Sequence, residues 1–368
     1  MKTIDTVKAL SSNEFYNSYF DKKPVIVKGG IKETRFYKNW SMDYLKQKIG
    51  SKRVILNHAP SRLYNNAISE IKTMEGTFHE MADRLLHKKV DNGSYYLAQS
   101  SIGQNFPELL ADLETPAHIK ESDLLLATNM WLGGAGCDSG LHYDFNHNFF
   151  LQVIGQKELV LFSPQDSDYL YPSNKEGFQH MSQIALQNVD EKRFPLYAKA
   201  EPLSLVVEAG DMVYIPSYWW HNLISLELSL SINYWWVTFD IPSSPRAKMV
   251  SVPLLNQLVQ GFLYKGCNID HVTEDGELLL IKAVKEDFAN IAKAMLLSGA
   301  NVNSKSLKLI PGASALYTSV HYNQPQMTSL LLKFGAKDIP YEGKTATKLA
   351  EEKGADQLIS LLQGKATI

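Results

Sequence analysis

A short polar row stands inside an otherwise apolar, β-prone stretch, SGLHYDFNHNFFLQVIGQKELVLFSP, which runs from residue 139 to residue 164. His142 and Asp144 open this row two residues apart, and side chains alternate between the two faces of a strand. One face is therefore predicted to carry the following residues: His142, Asp144, Asn146, Asn148 and Phe150. Buried polar groups need a hydrogen-bond partner or a bound ligand. The stretch thus predicts a binding site whose reactive groups are imidazole and carboxylate.

His221 is the natural partner of this pair. It follows the run GDMVYIPSYWW and begins another β-prone segment, so a neighbouring strand of a two-sheet barrel would bring it opposite His142 and Asp144. Two histidines and one carboxylate make up the facial triad that binds non-haem Fe(II). Such a triad leaves coordination positions open, which distinguishes catalytic from structural metal sites. The same alternation puts His147 on the opposite face, so it is not predicted to be a ligand.

Lys157 is a second charged group predicted to lie near the metal. Fe(II) oxygenases of this type use 2-oxoglutarate as co-substrate, and its distal carboxylate requires a cation further down the barrel. Lys157 follows the turn IGQ on the next strand and is predicted to face the interior, where an unpaired ammonium is costly. A lysine just past a turn is also commonly solvent-exposed, so its spacing alone does not decide whether Lys157 lies in the interior or on the surface. With Lys157 inside, the residues predict an oxygenase that uses Fe(II), 2-oxoglutarate and O2.

The composition suits a globular protein of two or three domains. The 368 residues are 45% hydrophobic, and the 37 lysines and arginines nearly balance the 39 acidic residues. Near-neutral charge without a long basic run argues against a nucleic-acid partner. The sequence shows no secretory signal and no stretch of about 18 apolar residues, which predicts a cytoplasmic protein with no membrane partner. Cys137 and Cys267 are too few for a disulfide framework and are predicted to be free thiols.

Short β-prone runs separated by Gly, Pro, Asn and Asp turns fill residues 94–240. This cadence predicts an all-β double-stranded β-helix, or jelly roll. SSNEFYNSYFDKKP and SMDYLKQKIG predict flanking helices, and PVIVKGGI predicts a strand. Residues 1–240 are accordingly predicted to form the oxygenase domain, with a core at about 94–240. Residues 241–272, which include VSVPLLNQLVQGFLY, are predicted to form a helical linker.

The chain repeats itself from Asp275 onward. Three segments align as turn, helix, loop and helix: DGELLLIKAVKEDFANIAKAMLLSGANVN, GASALYTSVHYNQPQMTSLLLKFGAKD and GKTATKLAEEKGADQLISLLQ. Their lengths and the ending LLLxxGA resemble ankyrin repeats, which predicts an α-helical ankyrin-repeat domain over residues 273–368. The spacing between the first two copies is stretched by a few residues, so an unrelated pair of helical hairpins is the alternative. In either case the segment is predicted to supply a stacked surface and no chemistry.

Three stretches carry a family resemblance in combination: HYDFNHNFFLQVIGQKELVLFSP, GDMVYIPSYWWHNL and SINYWW. Together with FDKKPVIVKGGI and NWSMDYLKQKIG, they resemble the JmjC, cupin-like 2-oxoglutarate oxygenases, most closely the asparaginyl hydroxylases of the type that inhibits hypoxia-inducible factor. The resemblance covers roughly residues 10–240. It implies the cupin (JmjC) fold, Fe(II) held by His142, Asp144 and His221, and an ion pair between Lys157 and the distal carboxylate of 2-oxoglutarate.

The resemblance also implies contacts to the co-substrate from outside the triad. By motif these residues are Tyr96, Ser139, Asn148, Asn233 and Trp235. The other tryptophans near His221 are predicted to pack in the core: Trp219, Trp220 and Trp236. The chain departs from the family in two places. Ala98 stands where the family has a glutamine that helps to hold the substrate. The family's C-terminal dimerisation helices are here shortened and replaced by the repeats, so a homodimer is compatible with the sequence but is not predicted by it.

Hydroxylation of a protein is the predicted reaction, on asparagine or a similar side chain of a partner recruited by the repeats. The partner would be an extended peptide or another ankyrin-repeat protein. Lysine demethylation is less favoured because the sequence shows no chromatin-reading module or basic surface. Hydroxylation of a nucleic-acid base is less favoured because the sequence shows no basic groove. A protein-binding scaffold with an inactive barrel is the alternative from another class.

Asn303, in SGANVNSK, lies in the loop that ends the first repeat. The oxygenases that this chain resembles modify asparagines in the corresponding loop of ankyrin repeats. Self-hydroxylation is therefore a subsidiary expectation, ranked below recruitment of a separate target. An asparagine at such a turn is also common because it tolerates the local backbone. Secretion into a host cell is compatible with the pairing of the two domains, although no segment points to it.

Overall fold

The structure, a computed structural model, describes residues 3–86 and 95–365. The chain divides into two compact units, Met1–Lys120 with Leu125–Val237, and Glu121–Leu124 with Thr238–Ile368. In the described ranges, none of the helices combines the length and apolar character that crossing a bilayer requires. Cys137 and Cys267 are both free thiols, the first buried and the second partly exposed.

Thirteen strands lie in the described ranges and form two sheets. They are β1 (Asp5–Val7), β2 (Val25–Val27), β3 (Arg53–His58), β4 (Lys72–Thr77), β5 (Tyr95–Ser101), β6 (Leu124–Gly133), β7 (His142–Tyr143), β8 (His147–Ile154), β9 (Lys157–Phe162), β10 (Leu203–Val207), β11 (Met212–Ile215), β12 (Trp220–Ser225) and β13 (Ser229–Val237). The larger sheet has the order β1-β2-β11-β8-β13-β6-β5-β3-β4, and the smaller β10-β9-β12-β7. From β6 to β13 the chain passes back and forth between the sheets, with only β9 and β10 consecutive in one sheet, as in a jelly roll.

Helices pack on the outer face of the larger sheet. The α-helices of this unit are α1 (Ser12–Glu14), α2 (Arg35–Asn39), α3 (Met42–Ile49), α4 (Phe78–Leu86) and α5 (Ile102–Asn105), with a π-helical turn over Phe15–Tyr19 and 3-10 turns over Pro107–Asp112, Pro164–Tyr169 and Pro195–Lys199. Helix α3 begins where the Ser41 hydroxyl accepts from the N–H of Tyr44, a serine cap. Its buried Leu45 and Ile49 share one core cluster with Leu132 and Trp236 of the sheet.

A second core lies where the two sheets face each other. Ile26, Phe150 and Val213 of the larger sheet pack there against Leu159 and Leu161 of the smaller sheet. The alternation of side chains along each strand is what delivers one apolar row from each sheet to this layer.

The β core begins earlier in the chain than the predicted residue 94, which itself lies outside the described residues. Strands β1 to β4 all precede that point and join the larger sheet. β2 lies between β1 and β11 in that sheet, pairing in parallel with the first and antiparallel with the second. These strands are short and interspersed with helices, so they lack the regular turn cadence on which the predicted boundary rested.

The stretch HYDFNHNFF is not one strand, as the alternation argument assumed. β7 pairs with β12 in the smaller sheet, whereas β8 pairs with β11 and β13 in the larger. The chain therefore crosses between sheets over residues 144–146. Face assignments based on a period of two do not carry across such a crossing.

The second unit is a stack of helical hairpins. Its helices are α6 (Val252–Tyr264), α7 (Leu279–Lys285), α8 (Ala289–Leu297), α9 (Ala315–His321), α10 (Pro325–Lys333), α11 (Ala346–Glu352) and α12 (Asp356–Leu362), with a 3-10 turn over Pro245–Met249. Helices α7, α9 and α11 pack in one row and α8, α10 and α12 in a second. Each hairpin buries its apolar face against the next hairpin, as the repeats of a solenoid protein do.

A buried carboxylate explains the stretched connection between the first two hairpins. Glu277 accepts hydrogen bonds from the Ser306 hydroxyl at 2.6 Å and from the N–H groups of Leu307 and Leu309, both at 2.9 Å. These bonds lower the pKa of Glu277 against the effect of its burial. The extra residues thus form an ordered loop around a fixed anion.

Candidate functional site

One cavity between the two sheets gathers all nine residues predicted for the site. Its lining consists of His142, Asp144, His221, Lys157, Tyr96, Ser139, Asn148, Asn233 and Trp235, joined by Trp131, Phe150 and Leu223. The histidines and the lysine belong to the smaller sheet, whereas the tyrosine, asparagines and tryptophans belong to the larger. The site therefore depends on the two sheets being held face to face.

Strand pairing brings the two histidines together. His221 of β12 lies directly opposite His142 of β7 in the antiparallel register, and their rings are 4.3 Å apart between centroids. Asp144 follows β7 immediately, with its Oδ2 atom 3.7 Å from Nε2 of His221. One ligand atom from each of these three residues falls within 4.8 Å of the others. A single metal ion can be held by such a group.

Backbone carbonyls fix the orientation of both imidazoles. Nδ1 of His142 lies 2.8 Å from the carbonyl oxygen of Gly140, and Nδ1 of His221 lies 2.9 Å from that of Trp219. A carbonyl only accepts, so Nδ1 carries the proton in each ring and Nε2 keeps its lone pair for a metal. This arrangement is the usual outer support of a metal-ligating histidine.

Burial sets the protonation of the three groups. It lowers the pKa of His142 and of His221 to about 4, so both imidazoles are neutral at pH 7. The contact between His221 and Asp144 is therefore not an ion pair at that pH. Burial also raises the pKa of Asp144, whose Oδ2 has no hydrogen-bond partner in the described ranges. Neutral imidazoles and a buried, unpartnered carboxylate oxygen fit a divalent metal, which supplies the missing positive charge.

Lys157 lies inside the cavity and not on the surface. Its side chain is 1% exposed, and Nζ donates to the Ser231 hydroxyl at 3.0 Å. Nζ also lies 5.7 Å from the ring centroid of Tyr96 and 5.6 Å from that of Phe150. Among the described residues no carboxylate pairs with this ammonium, and burial lowers its pKa to about 8. A buried cation without a counter-ion is suited to bind an anion.

The remaining predicted contacts differ in how they are held. The Ser139 hydroxyl accepts from the N–H of Leu223 at 3.0 Å, so part of its capacity is used inside the protein. Oδ1 of Asn148 is buried without a partner in the described ranges. Oδ1 of Asn233 accepts from Nε1 of Trp131 at 3.0 Å. Trp220 and Trp236, in contrast, are fully buried in the core.

His147 lies outside the cavity lining, because alternation along β8 puts it on the face opposite Asn148 and Phe150, which do line the cavity. It opens β8 of the larger sheet, where Nδ1 accepts from the N–H of Ser217 at 3.3 Å and lies 3.0 Å from the hydroxyl of Tyr214. Asn146 was predicted to share the ligand face, and this was wrong. Its Nδ2 donates to the carbonyl of His147 at 3.2 Å within the crossing between sheets.

Trp131, Phe150 and Leu223 line the cavity but were not among the predicted site residues. Alternation predicts Phe150 on the ligand face but gives it no role. The sequence does not identify Trp131 as a site residue, because a tryptophan within the apolar run LLLATNMWLGG is expected to pack in the core. Its polar N–H matters only once β6 and β13 are known to be neighbours in the larger sheet.

Comparison with known proteins places this architecture in a family. The model of the cupin-like domain matches residues 11–240. The chain belongs to the cupin-like domain family. Of its relatives, JmjC domain-containing protein D of Dictyostelium discoideum is 33% identical over 243 residues, which are 60% of this chain and 53% of that protein.

Two further relatives of this cupin-like protein carry names of different kinds. Lysine-specific demethylase 8 of Danio rerio is 31% identical over 243 residues, covering 64% of this chain and 58% of the relative. The tRNA wybutosine-synthesizing protein 5 of Gallus gallus is 28% identical over 248 residues, covering 63% of this chain and 76% of the relative. The cupin-like chain thus spans little more than half the length of the two more similar relatives.

Proposed function

We propose that this cupin-like protein is an Fe(II)- and 2-oxoglutarate-dependent dioxygenase that hydroxylates a protein side chain. The observation that carries the proposal is one cavity that joins His142, Asp144 and His221 to Lys157, which is buried and has no carboxylate partner in the described ranges. A metal triad alone would suit many reactions. A deep cation beside it suits a dicarboxylate that reaches the metal with one end and the lysine with the other.

Each group of the cavity has a defined task in this reaction. Iron bound by the triad would, with 2-oxoglutarate and O2, supply oxidative decarboxylation to succinate and CO2, coupled to insertion of one oxygen atom into a substrate C–H bond. The neutral imidazoles and Asp144 hold the metal, and Lys157 with Ser231 binds the distal carboxylate. The aromatic rings of Tyr96, Trp131 and Trp235 exclude water, which strengthens these electrostatic interactions.

The proposed substrate is a protein recruited by the C-terminal unit, with asparagine or a similar side chain as the target. Equivalent positions recur in its hairpins as they do in ankyrin repeats. Asp287, Asn323 and Gly354 adopt positive φ between the helices of each pair, and Gly299 and Gly335 do so after the second helices. Isolated bridges precede the pairs at Val272 and Leu278, Lys305 and Ser314, and Tyr341 and Lys344. These features support an ankyrin-type stack whose exposed turns contact a partner.

Asn303 is a secondary candidate target within the same chain. Its Oδ1 accepts from the N–H of Lys337 at 2.8 Å, and its own N–H donates to Asn301 at 3.0 Å. The side chain thus ties the end of one hairpin to the end of the next. Hydroxylation would require this bond to open, so a separate target protein ranks above self-modification.

Lysine demethylation is the second candidate, because one relative is named a lysine-specific demethylase. Both reactions convert 2-oxoglutarate to succinate, but only demethylation releases formaldehyde. Another relative is named for tRNA modification. The near-balance of 37 basic against 39 acidic residues favours a protein over a nucleic acid as the substrate here.

Turnover of 2-oxoglutarate tests the proposal directly. The purified protein with Fe(II) and O2 is expected to release succinate, and proteins captured from a lysate by a His142→Ala variant are expected to gain one oxygen when incubated with the wild type. Peptide mass analysis of the captured proteins and of the segment spanning Asn303 separates recruitment from self-modification. Formaldehyde with loss of a methyl group would favour demethylation. If no succinate forms under any of these conditions, the oxygenase proposal is wrong and the protein is better explained as a binding scaffold with an inactive barrel.

The pH dependence of co-substrate binding follows from Lys157. Its pKa of about 8 is lowered by burial, and the dicarboxylate binds the protonated ammonium. Affinity is therefore expected to be constant between about pH 6.5 and 7.5 and to fall towards tenfold per unit above about pH 8. Calorimetric titration of the Mn(II)-loaded protein with 2-oxoglutarate measures this. The Lys157→Met variant should show weak binding without that slope, and an equal slope in both proteins would assign the titration to another group.

A further inference from the structure

Trp131 belongs to an aromatic row that crosses three neighbouring strands. Its ring lies 5.9 Å from that of Tyr96 on β5 and 6.1 Å from that of Trp235 on β13, and Trp131 itself lies on β6 between them. Contacts on both sides hold the indole in one orientation. Its Nε1 donates to Oδ1 of Asn233 at 3.0 Å.

This hydrogen bond decides which end of the Asn233 amide faces outward from the indole. An indole N–H can only donate, so the amide oxygen must be the atom that faces Trp131. Asn233 lines the metal cavity and is 2% exposed. In the part of the chain that the structure describes, no acceptor binds its Nδ2. The group that Asn233 offers to a ligand in the cavity is therefore an N–H donor and not a carbonyl.

We infer that Trp131 is a positioning residue, which acts through Asn233 to present an amide donor to the oxygen atoms of an anionic co-substrate. The inference rests on the proposed use of 2-oxoglutarate, whose carboxylate and keto oxygens accept hydrogen bonds. An amide released from Trp131 can rotate by 180° and present its oxygen to those atoms instead. A buried acceptor facing another acceptor is unfavourable. Trp131 thus selects the favourable orientation before the co-substrate arrives.

Binding of 2-oxoglutarate to the Mn(II)-loaded protein tests this role without turnover. Trp131→Phe keeps a ring between Tyr96 and Trp235 but removes the N–H. It is expected to raise the dissociation constant of 2-oxoglutarate about three- to tenfold, the usual range for one hydrogen bond, and to leave Mn(II) affinity unchanged. In an Asn233→Ala background the same substitution is expected to have no further effect, because the residue through which it acts is gone.

Trp40→Phe is the matched control. Trp40 is buried and its Nε1 donates to Asp112 at 2.9 Å, but it lies in the helix-packed core and not in the cavity lining. It should lower thermal stability and leave 2-oxoglutarate affinity unchanged, so any general effect of losing a tryptophan N–H is measured separately. Circular dichroism establishes that each variant is folded.

The outcomes separate this inference from the proposed function. If the wild type binds 2-oxoglutarate and Trp131→Phe binds it equally well, the positioning role is wrong while the co-substrate assignment stands. Equal weakening by Trp131→Phe in the wild-type and Asn233→Ala backgrounds would also overturn it, since Trp131 would then act independently of Asn233. If the wild type with Mn(II) does not bind 2-oxoglutarate, both proposals fail together.

Discussion

Replacing His142 or Asp144 with alanine is expected to abolish succinate formation and to reduce metal affinity by more than about a hundredfold. Loss of a supporting outer contact already costs about 10–100-fold in metal sites, and loss of one of three protein ligands removes more. The barrel should stay folded, because burial keeps both imidazoles neutral and Oδ2 of Asp144 makes no hydrogen bond among the described residues that its removal would break. Titration with Mn(II) and a succinate assay measure the two effects.

His147→Ala provides the matched control for these variants. His147 is buried and its pKa is also lowered to about 4 by burial, but its polar contacts are with Ser217 and Tyr214. The variant should unfold at a lower temperature and still bind Mn(II) with wild-type affinity. Retention of full activity by His142→Ala, or loss of metal binding by His147→Ala, would show that the triad is assigned to the wrong residues.

Replacing Lys157 with methionine is expected to weaken 2-oxoglutarate binding about 30-fold or more. Truncating one partner of a buried charge pair costs about 2–5 kcal/mol in comparable sites. The free energy of unfolding of the metal-free protein should increase in the same variant. The folded-state pKa of about 8 lies below the ordinary value of 10.5, so at pH 7 the folded protein carries the cost of a buried charge that the unfolded chain does not. Calorimetry with 2-oxoglutarate and thermal unfolding of the metal-free protein measure the two responses.

Lys28→Met is the control for the lysine substitution. Lys28 pairs with Asp211 at 2.6 Å and with Glu208 at 3.0 Å, and it does not line the cavity. Its loss should lower the unfolding temperature, because buried Asp211 loses its cationic partner and keeps only backbone N–H donors, and should leave co-substrate affinity unchanged. If Lys157→Met and Lys28→Met had the same pair of effects, Lys157 would be a structural lysine.

The members of the site could be predicted from sequence where motif and chemistry agreed. His142, Asp144, His221 and Lys157 are polar or charged residues in apolar β-prone runs, an arrangement that only a site or a partner makes tolerable. The faces of residues 142–150 could be predicted less well, because these residues belong to two strands in different sheets. The crossing between sheets depends on pairing with strands distant in the chain, and a local period contains no information about it.

Trp131 shows the other limit of the sequence. Its contribution depends on a partner 102 positions away, on a strand that is adjacent only in the folded sheet. The early start of the β core has the same cause, because β2 acquires its place from pairing with β11, far along the chain. The C-terminal helical hairpins gave a clearer signal, since each hairpin contacts mainly its neighbours in sequence and its periodicity is local.

Because the cavity is divided between two sheets, binding of the proposed co-substrate would be coupled to the stability of this unit. A dicarboxylate that bridges the triad and Lys157 to Asn233 of the larger sheet would bind only while both sheets are in place, so free co-substrate would add RT ln(1 + [L]/Kd) to the stability of this unit. A cell depleted of 2-oxoglutarate or iron would then hold a less stable population of this protein, more often open to proteases. Nutrient supply would in that way set how long the protein survives as well as how fast it works.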